Sequence, residues 1–212
     1  MVPIEVAPVQ RSHARLRETL SGVSDFDARR PSLLPGWTVG HVLAHLAGNA
    51  DSHVRMLRGA IRGEVADQYP GGRQSRDADI EAGAGRPAAE LVADVVASAA
   101  RLEEAWAVTP EDVWRTGQGR VVGGRWPVAD LPFRRWREVE IHHVDLGLAY
   151  TVEDWPDAYV EAERGRALPA LGTRLPAGAA FDPGGTDRRR LLAWIVGRGD
   201  DPSLPPLSPW TG

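Results

Sequence analysis

The chain has 212 residues, 42% of them hydrophobic and 25% charged, a balance that supports a globular core, and none is cysteine. The lack of cysteine excludes disulfides and thiolate metal ligands, so any thiol chemistry must use a thiol from outside the chain. A net charge of −4 without a basic stripe excludes a nucleic-acid footprint, no apolar run reaches the roughly 18 residues of a membrane helix, and residues 1–10 lack a signal-peptide pattern; a cytoplasmic protein with neither nucleic-acid nor membrane partner is expected.

Residues 4–20 read as a first helix that stops before Ser21-Gly22. Residues 25–37, with two prolines and a glycine, read as a loop. Thr38 offers an N-cap hydroxyl for a second helix over 39–62. Its apolar residues Val42, Leu43, Leu46, Ala47, Ala50, Val54 and Leu57 recur at spacings of three and four. Residues 63–85 are polar and glycine-rich and read as a long connection with room for a short helix; connections of that length are often functional. Pro87 suits the first turn of a third helix running to 108, with Leu91, Val95, Val96, Leu102 and Trp106 as its buried stripe. A turn region is expected over 117–124 and a fourth helix over 127–150, carrying Leu131, Trp136, Val139, Val144 and Leu148.

Four helices with one long crossover fit a four-helix bundle. The expected class is mainly α, with a bundle domain over 1–152 and a small C-terminal region of helix and loop over 153–212. Within that region 155–171 reads as a helix, 176–185 as a loop, 187–197 as a short helix closed by glycine, and 200–212, with four prolines, as a surface tail. No internal repeat or heptad seam is visible, so a monomer or a homodimer is expected.

On the fourth helix Glu138 and His142 lie four residues apart and share a face. Such a pair is either a surface hydrogen bond or two ligands for one metal. His45, among apolar residues on the second helix, is either a satisfied core histidine or a ligand, and His41 forms a competing pair with it. Facing helices that each offer inward nitrogen or oxygen donors are how bundles build metal sites, and three protein ligands leave the open position of a catalytic site. Zinc is favoured, although nickel, iron and manganese accept the same donors. Asp145 is a candidate to orient a ligand histidine or to make a surface hydrogen bond, and Asn49 to face the site or fill the core. Arg134, Arg135 and Arg137 read as a solvated basic face, as do the arginines at 188–190, and Trp37 as an anchor ahead of the second helix.

The string Leu33-Leu34-Pro35-Gly36-Trp37-Thr38-Val39-Gly40-His41-Val42-Leu43-Ala44-His45-Leu46-Ala47 resembles the second-helix motif of the mycothiol-dependent maleylpyruvate isomerase family, a branch of the DinB-like superfamily. Arg137-Glu138-Val139-Glu140-Ile141-His142-His143-Val144-Asp145-Leu146 resembles its second signature. The resemblance implies a DinB-like bundle with metal ligands His45, Glu138 and His142, mycothiol as thiol cofactor, and a small-molecule substrate. It implies cis–trans isomerisation of maleylpyruvate to fumarylpyruvate, by thiolate addition, bond rotation and elimination. The string from Leu191 to Arg198 is similar to the family's C-terminal Trp-x-x-Gly-Arg helix, which makes Arg198 a catalytic candidate. The family carries several strands before that helix, and residues 171–187 are too short and too rich in proline and glycine for them, so a shortened extension is expected. Two alternatives stand beside this one. They are a thiol S-transferase, which keeps the adduct, and a non-enzymatic metal-binding or stress-response bundle. A purely structural bundle requires His45 to lie more than about 5 Å from the other two residues, beyond joint coordination.

Overall fold

The computed structural model describes residues 1–176, 181–199 and 201–209. Parts of the expected loop over 176–185 and of the tail over 200–212 lie outside the described residues. The chain forms two compact units, Met1–Ala149 and Tyr150–Gly212.

In chain order the first unit contains α1 (Val6–Leu20), α2 (Asp25–Arg29), α3 (Val39–Ile61), α4 (Gly72–Ala84), α5 (Ala88–Val108), α6 (Glu111–Thr116), the antiparallel hairpin β1 (Gln118–Val121) and β2 (Gly124–Pro127), and α7 (Leu131–Asp145). The long helices α1, α3, α5 and α7 make a DinB-like bundle, with α3 packed on α5, α4 and α7, and α1 on α7 and α5. Leu16, Leu20, Val42, Leu43, Leu46, Leu91, Val95 and Val139 fill its core.

α3 starts where it does because Thr38 is extended and its hydroxyl accepts the His41 N–H, while His41 Nδ1 accepts the Thr38 N–H at 3.1 Å. This is a capping box with histidine in the place usually held by Glu or Gln. Pro87 occupies the cap position of α5, and the free N–H of Ala88 donates to Asp25 Oδ1 at 2.6 Å.

Three connections differ from the sequence reading. Residues 25–37 include the helical turn α2, opened by a Ser24–Asp27 capping box. The connection over 63–85 holds a helix of 13 residues, α4, entered through Gly71 and Gly72 at φ 85° and 72°. It buries only Ile80 and Ala84, so it has almost no apolar stripe to read. The turn region over 117–124 is a hairpin: Gly123, at φ 84°, allows the two-residue turn, and Gly119 leaves room for Met56 of α3. Because β2 extends to Pro127 and a short 3-10 turn follows, α7 begins at Leu131 rather than 127. It ends at Asp145, ahead of Gly147 at φ 64°.

The basic face expected on the fourth helix needs correction, because Arg135 is fully buried. Its guanidinium donates to His13 Nε2 at 3.1 Å, to the Leu46 carbonyl at 2.9 Å and to Asn49 Oδ1 at 2.9 Å. His13 Nδ1 meets Glu103 at 2.7 Å, and its ring stacks on Trp106. One cation thereby ties α7 to α1, α3 and, through His13, α5. Burying a charge without water is tolerated only with such partners. Arg134 lies over the Trp126 ring at 3.6 Å and Arg137 over Phe133 at 5.4 Å.

The second unit contains α8 (Asp157–Ala167) and α9 (Arg188–Ile195), and no strand among the described residues. Asp187 caps α9 by accepting the N–H groups of Arg189 and Arg190. At its other end Gly197 takes φ 70°, its N–H donates to Trp194 and that of Arg198 to Ala193. That is a Schellman motif, so the Trp-x-x-Gly-Arg string is also the stop signal of a helix.

Candidate metal centre

His45 lies on the second turn of α3, and Glu138 and His142 lie one turn apart on α7. The facing helices bring the three together. One ligand atom from each lies within 4.8 Å of the others. His45 Nε2 is 2.8 Å and His142 Nε2 3.4 Å from the same oxygen, Glu138 Oε2, and the two rings stand edge to face with centroids 4.6 Å apart. His45 thus lies within the roughly 5 Å that joint coordination with the other two residues requires. Two imidazole nitrogens and a carboxylate oxygen, with no sulfur, fit a divalent ion such as zinc, and three protein donors leave a fourth position for a small molecule.

The surroundings of the two histidines are unequal. Asp145, with a side chain 2% exposed, accepts from His142 Nδ1 at 2.8 Å. That contact places a proton on Nδ1 and turns Nε2 toward Glu138, the orientation in which a carboxylate holds a ligand histidine. Burial pushes His142 down, but Asp145 and Glu138 outweigh it, and its pKa is raised. Burial lowers His45 to about 4, against the pull of Glu138. Burial alone raises the Glu138 carboxyl, yet hydrogen bonds from His142 and His45 hold it well below the usual carboxylate range. At neutral pH the group therefore offers a carboxylate and a neutral His45.

His45 Nδ1 faces a donor instead, Arg76 Nη2 on α4, at 3.2 Å. The Arg76 guanidinium lies 6.0 Å from the centroid of the Trp37 ring, and Trp37 in turn packs against His45 and His41. The Tyr69 hydroxyl is within hydrogen-bond reach of Ser52 and Arg76, and burial raises its pKa. Sequence reasoning missed Arg76, Tyr69 and Ser52. Arg76 and Tyr69 belong to the connection over 63–85, whose polar, glycine-rich composition is the one signal that pointed to them.

His41 is brought near but spent elsewhere, on the capping box and, through Nε2, on Glu81 at 3.2 Å. His143 points away and meets Thr19 of α1 at 2.8 Å. Asn49 is a core acceptor for Arg135. Arg198 belongs to the second unit, where its Nη1 donates to the Val196 carbonyl at 2.9 Å. No helix among the described residues is long and apolar enough to cross a membrane.

The fold is a DinB-like α-helical bundle, and its facing helices α3 and α7 bring the buried His45 against the partly exposed Glu138 and His142. Residues 9–147 match the family model described as the mycothiol maleylpyruvate isomerase N-terminal domain, and the chain belongs to that family, one of isomerase enzymes. A crystal structure of a mycothiol-dependent maleylpyruvate isomerase superposes with a TM-score of 0.85 at 25% identity, covering 97% of this chain and 95% of that one. A histidine-to-alanine variant of such an isomerase gives a TM-score of 0.82 at 25% identity, covering 92% of this chain and 88% of that one. The structural likeness therefore extends past residue 150 into the C-terminal unit, where the sequence match was confined to one short string. A search of curated proteins finds no match.

Proposed function

We propose that this chain is a metal- and mycothiol-dependent cis–trans isomerase acting on maleylpyruvate or a close analogue. The carrying observation is the convergence of His45 Nε2, Glu138 Oε2 and His142 Nε2 inside a family defined by that activity. These three residues would hold the metal. A bound zinc ion supplies thiolate at neutral pH by lowering the pKa of a thiol. Having no cysteine, the chain offers no competing thiol of its own. Glu138 contributes the negative charge, kept ionised by its two histidine neighbours. Asp145 fixes the His142 ring and tautomer. The buried stem of α3 holds His45 in place, with its side chain 4% exposed. The reaction is assigned to the cytoplasm, where small thiols are kept reduced. For Arg198 the support is the resemblance of its helix-ending string.

The test is product analysis with maleylpyruvate and mycothiol, run on zinc-loaded protein. The trans product, formed only with thiol present, supports the reading. A retained thiol adduct makes the protein an S-transferase, and turnover without thiol refutes it. His45→Ala is expected to bind no zinc by elemental analysis, whereas Arg198→Ala should keep its zinc and lose kcat/KM.

A further inference from the structure

Arg76 is in contact with His45 of the His–Glu–His group, and the metal reading gives it no task. Its side chain is 28% exposed. Nη1 is bound at 2.7 Å to its sequence neighbour Asp77, which is 54% exposed, and Nη2 is 3.2 Å from His45 Nδ1. An ion pair with a half-exposed neighbour is weakly held in water. The second contact works only in one tautomer. Arginine has no acceptor, so His45 Nδ1 must be the acceptor and Nε2 must carry the proton given to Glu138.

Metal ligation reverses that arrangement. A histidine whose Nε2 lone pair is committed to a metal carries its proton on Nδ1. Arg76 Nη2 and His45 Nδ1–H then face each other as two donors, and an acceptor between or beside them becomes favourable. The charges agree. Glu138 and Asp145 bring two negative charges and a divalent ion two positive ones, so the guanidinium's one remaining counter-charge is the half-exposed Asp77. Tyr69, within hydrogen-bond reach of Arg76, adds a hydroxyl donor to the same place.

We infer that Arg76 is the receptor for a carboxylate of the substrate, made available when His45 ligates the metal. The inference rests on the metal-dependent isomerase reading for the metal, and on this chain's own donors for the anion. The ligand class is a short dicarboxylate or keto-carboxylate whose reacting carbons lie beside its carboxylate. A guanidinium suits such a group because it can bind both oxygens in one plane.

The test titrates zinc-loaded and zinc-free protein with maleate by calorimetry at neutral pH. Zinc-loaded wild type should bind maleate. Arg76→Gln should keep one zinc per chain and bind maleate about tenfold or more weakly, the effect of losing one charge-assisted contact. Arg76→Lys should fall between them, since lysine keeps the charge without the fork. Zinc-free wild type should bind as weakly as Arg76→Gln. With maleylpyruvate, KM for that substrate should rise in Arg76→Gln while KM for mycothiol stays unchanged. Equal maleate affinity in wild type and Arg76→Gln overturns the inference. Loss of zinc from Arg76→Gln also overturns it, because Arg76 would then support His45 rather than receive an anion. Equal binding with and without zinc overturns the link to the metal. A wild type that binds maleate through Arg76 but turns over no maleylpyruvate leaves this inference standing and removes the isomerase reading.

Discussion

Acid should unfold this protein partly through His13, whose burial beside Arg135 holds its folded pKa below the unfolded one. The ring is buried, with a side chain 4% exposed; Nε2 accepts from Arg135 at 3.1 Å and Nδ1 meets Glu103 at 2.7 Å. Only the neutral ring can accept from the guanidinium, and a second cation there would face a buried first one. Burial pushes its pKa down to about 4 from 6.5, with Arg135 adding to the shift and Glu103 opposing it. The folded value lies below the unfolded one, so as pH falls below 6.5 the unfolded chain takes up the proton first. The stability held above 6.5 is then lost progressively until pH passes about 4. At roughly 1.4 kcal/mol per unit, pH 5 lies about 1.5 units below the unfolded pKa and costs about 2 kcal/mol. That is a large share of a typical stability of about 5–15 kcal/mol.

The perturbation that isolates this effect is His13→Gln. A glutamine amide can accept from Arg135 through its oxygen and donate to Glu103 through its nitrogen, and it does not titrate. Urea unfolding at pH 7.5 and pH 5, with a chelator present throughout, measures the loss in each protein. Burial also depresses His45 and His53, which contribute equally to both proteins and cancel in the difference. The variant should lose about 2 kcal/mol less than wild type between the two pH values. An equal loss in both proteins would refute the assignment of His13 as a neutral acceptor.

Asp145→Asn should weaken zinc binding about tenfold to a hundredfold in a competition assay with a chromogenic chelator, because the amide no longer offers His142 Nδ1 two carboxylate oxygens. Unchanged affinity would remove Asp145 from the support of the site. Gly40→Ala should lower stability by about 1–3 kcal/mol in thermal unfolding, since its methyl would press into the Ala84 carbonyl, a backbone atom that cannot rotate aside. An equal or higher Tm would show that α4 can shift off α3 at no cost.

The legible parts of this chain are those whose signal is local. α3, α5 and α7 carry apolar residues at helical spacing, and Thr38 announces the start of α3 with its hydroxyl. Glu138 and His142 share a face because a helix turn is 3.6 residues, and Asp145 follows His142 by three. α4 was legible only as room for a short helix in a long connection, because it shows the core little more than Ile80 and Ala84. The hairpin was illegible because its strands are four residues long and neither shows a clean alternation of buried and exposed positions. Arg135 was misjudged because, within Arg134-Arg135-Trp136-Arg137, nothing local separates a buried arginine from solvated ones. Its acceptors His13, Leu46 and Asn49 lie on other helices far away in the chain.

The same distinction separates the two histidines of the site. His142 has its supporting carboxylate three residues away on its own helix, so its tautomer is set by local sequence, whatever else is bound. His45 meets Arg76, from a helix that only the tertiary fold brings to it, and a donor there favours the proton on Nε2, the wrong nitrogen for ligation. One arm of the site is therefore built in advance and the other is held in the opposite tautomer by a cation. Reversing the second arm takes the His45 acceptor from the guanidinium, and an anion can replace it. By linkage, whatever anion occupies Arg76 must strengthen metal retention by the same factor that metal strengthens anion binding. A site in which the anion meets only a metal held by His45, Glu138 and His142 would keep the same coupling in Arg76→Gln, whereas an anion held by Arg76 loses part of it.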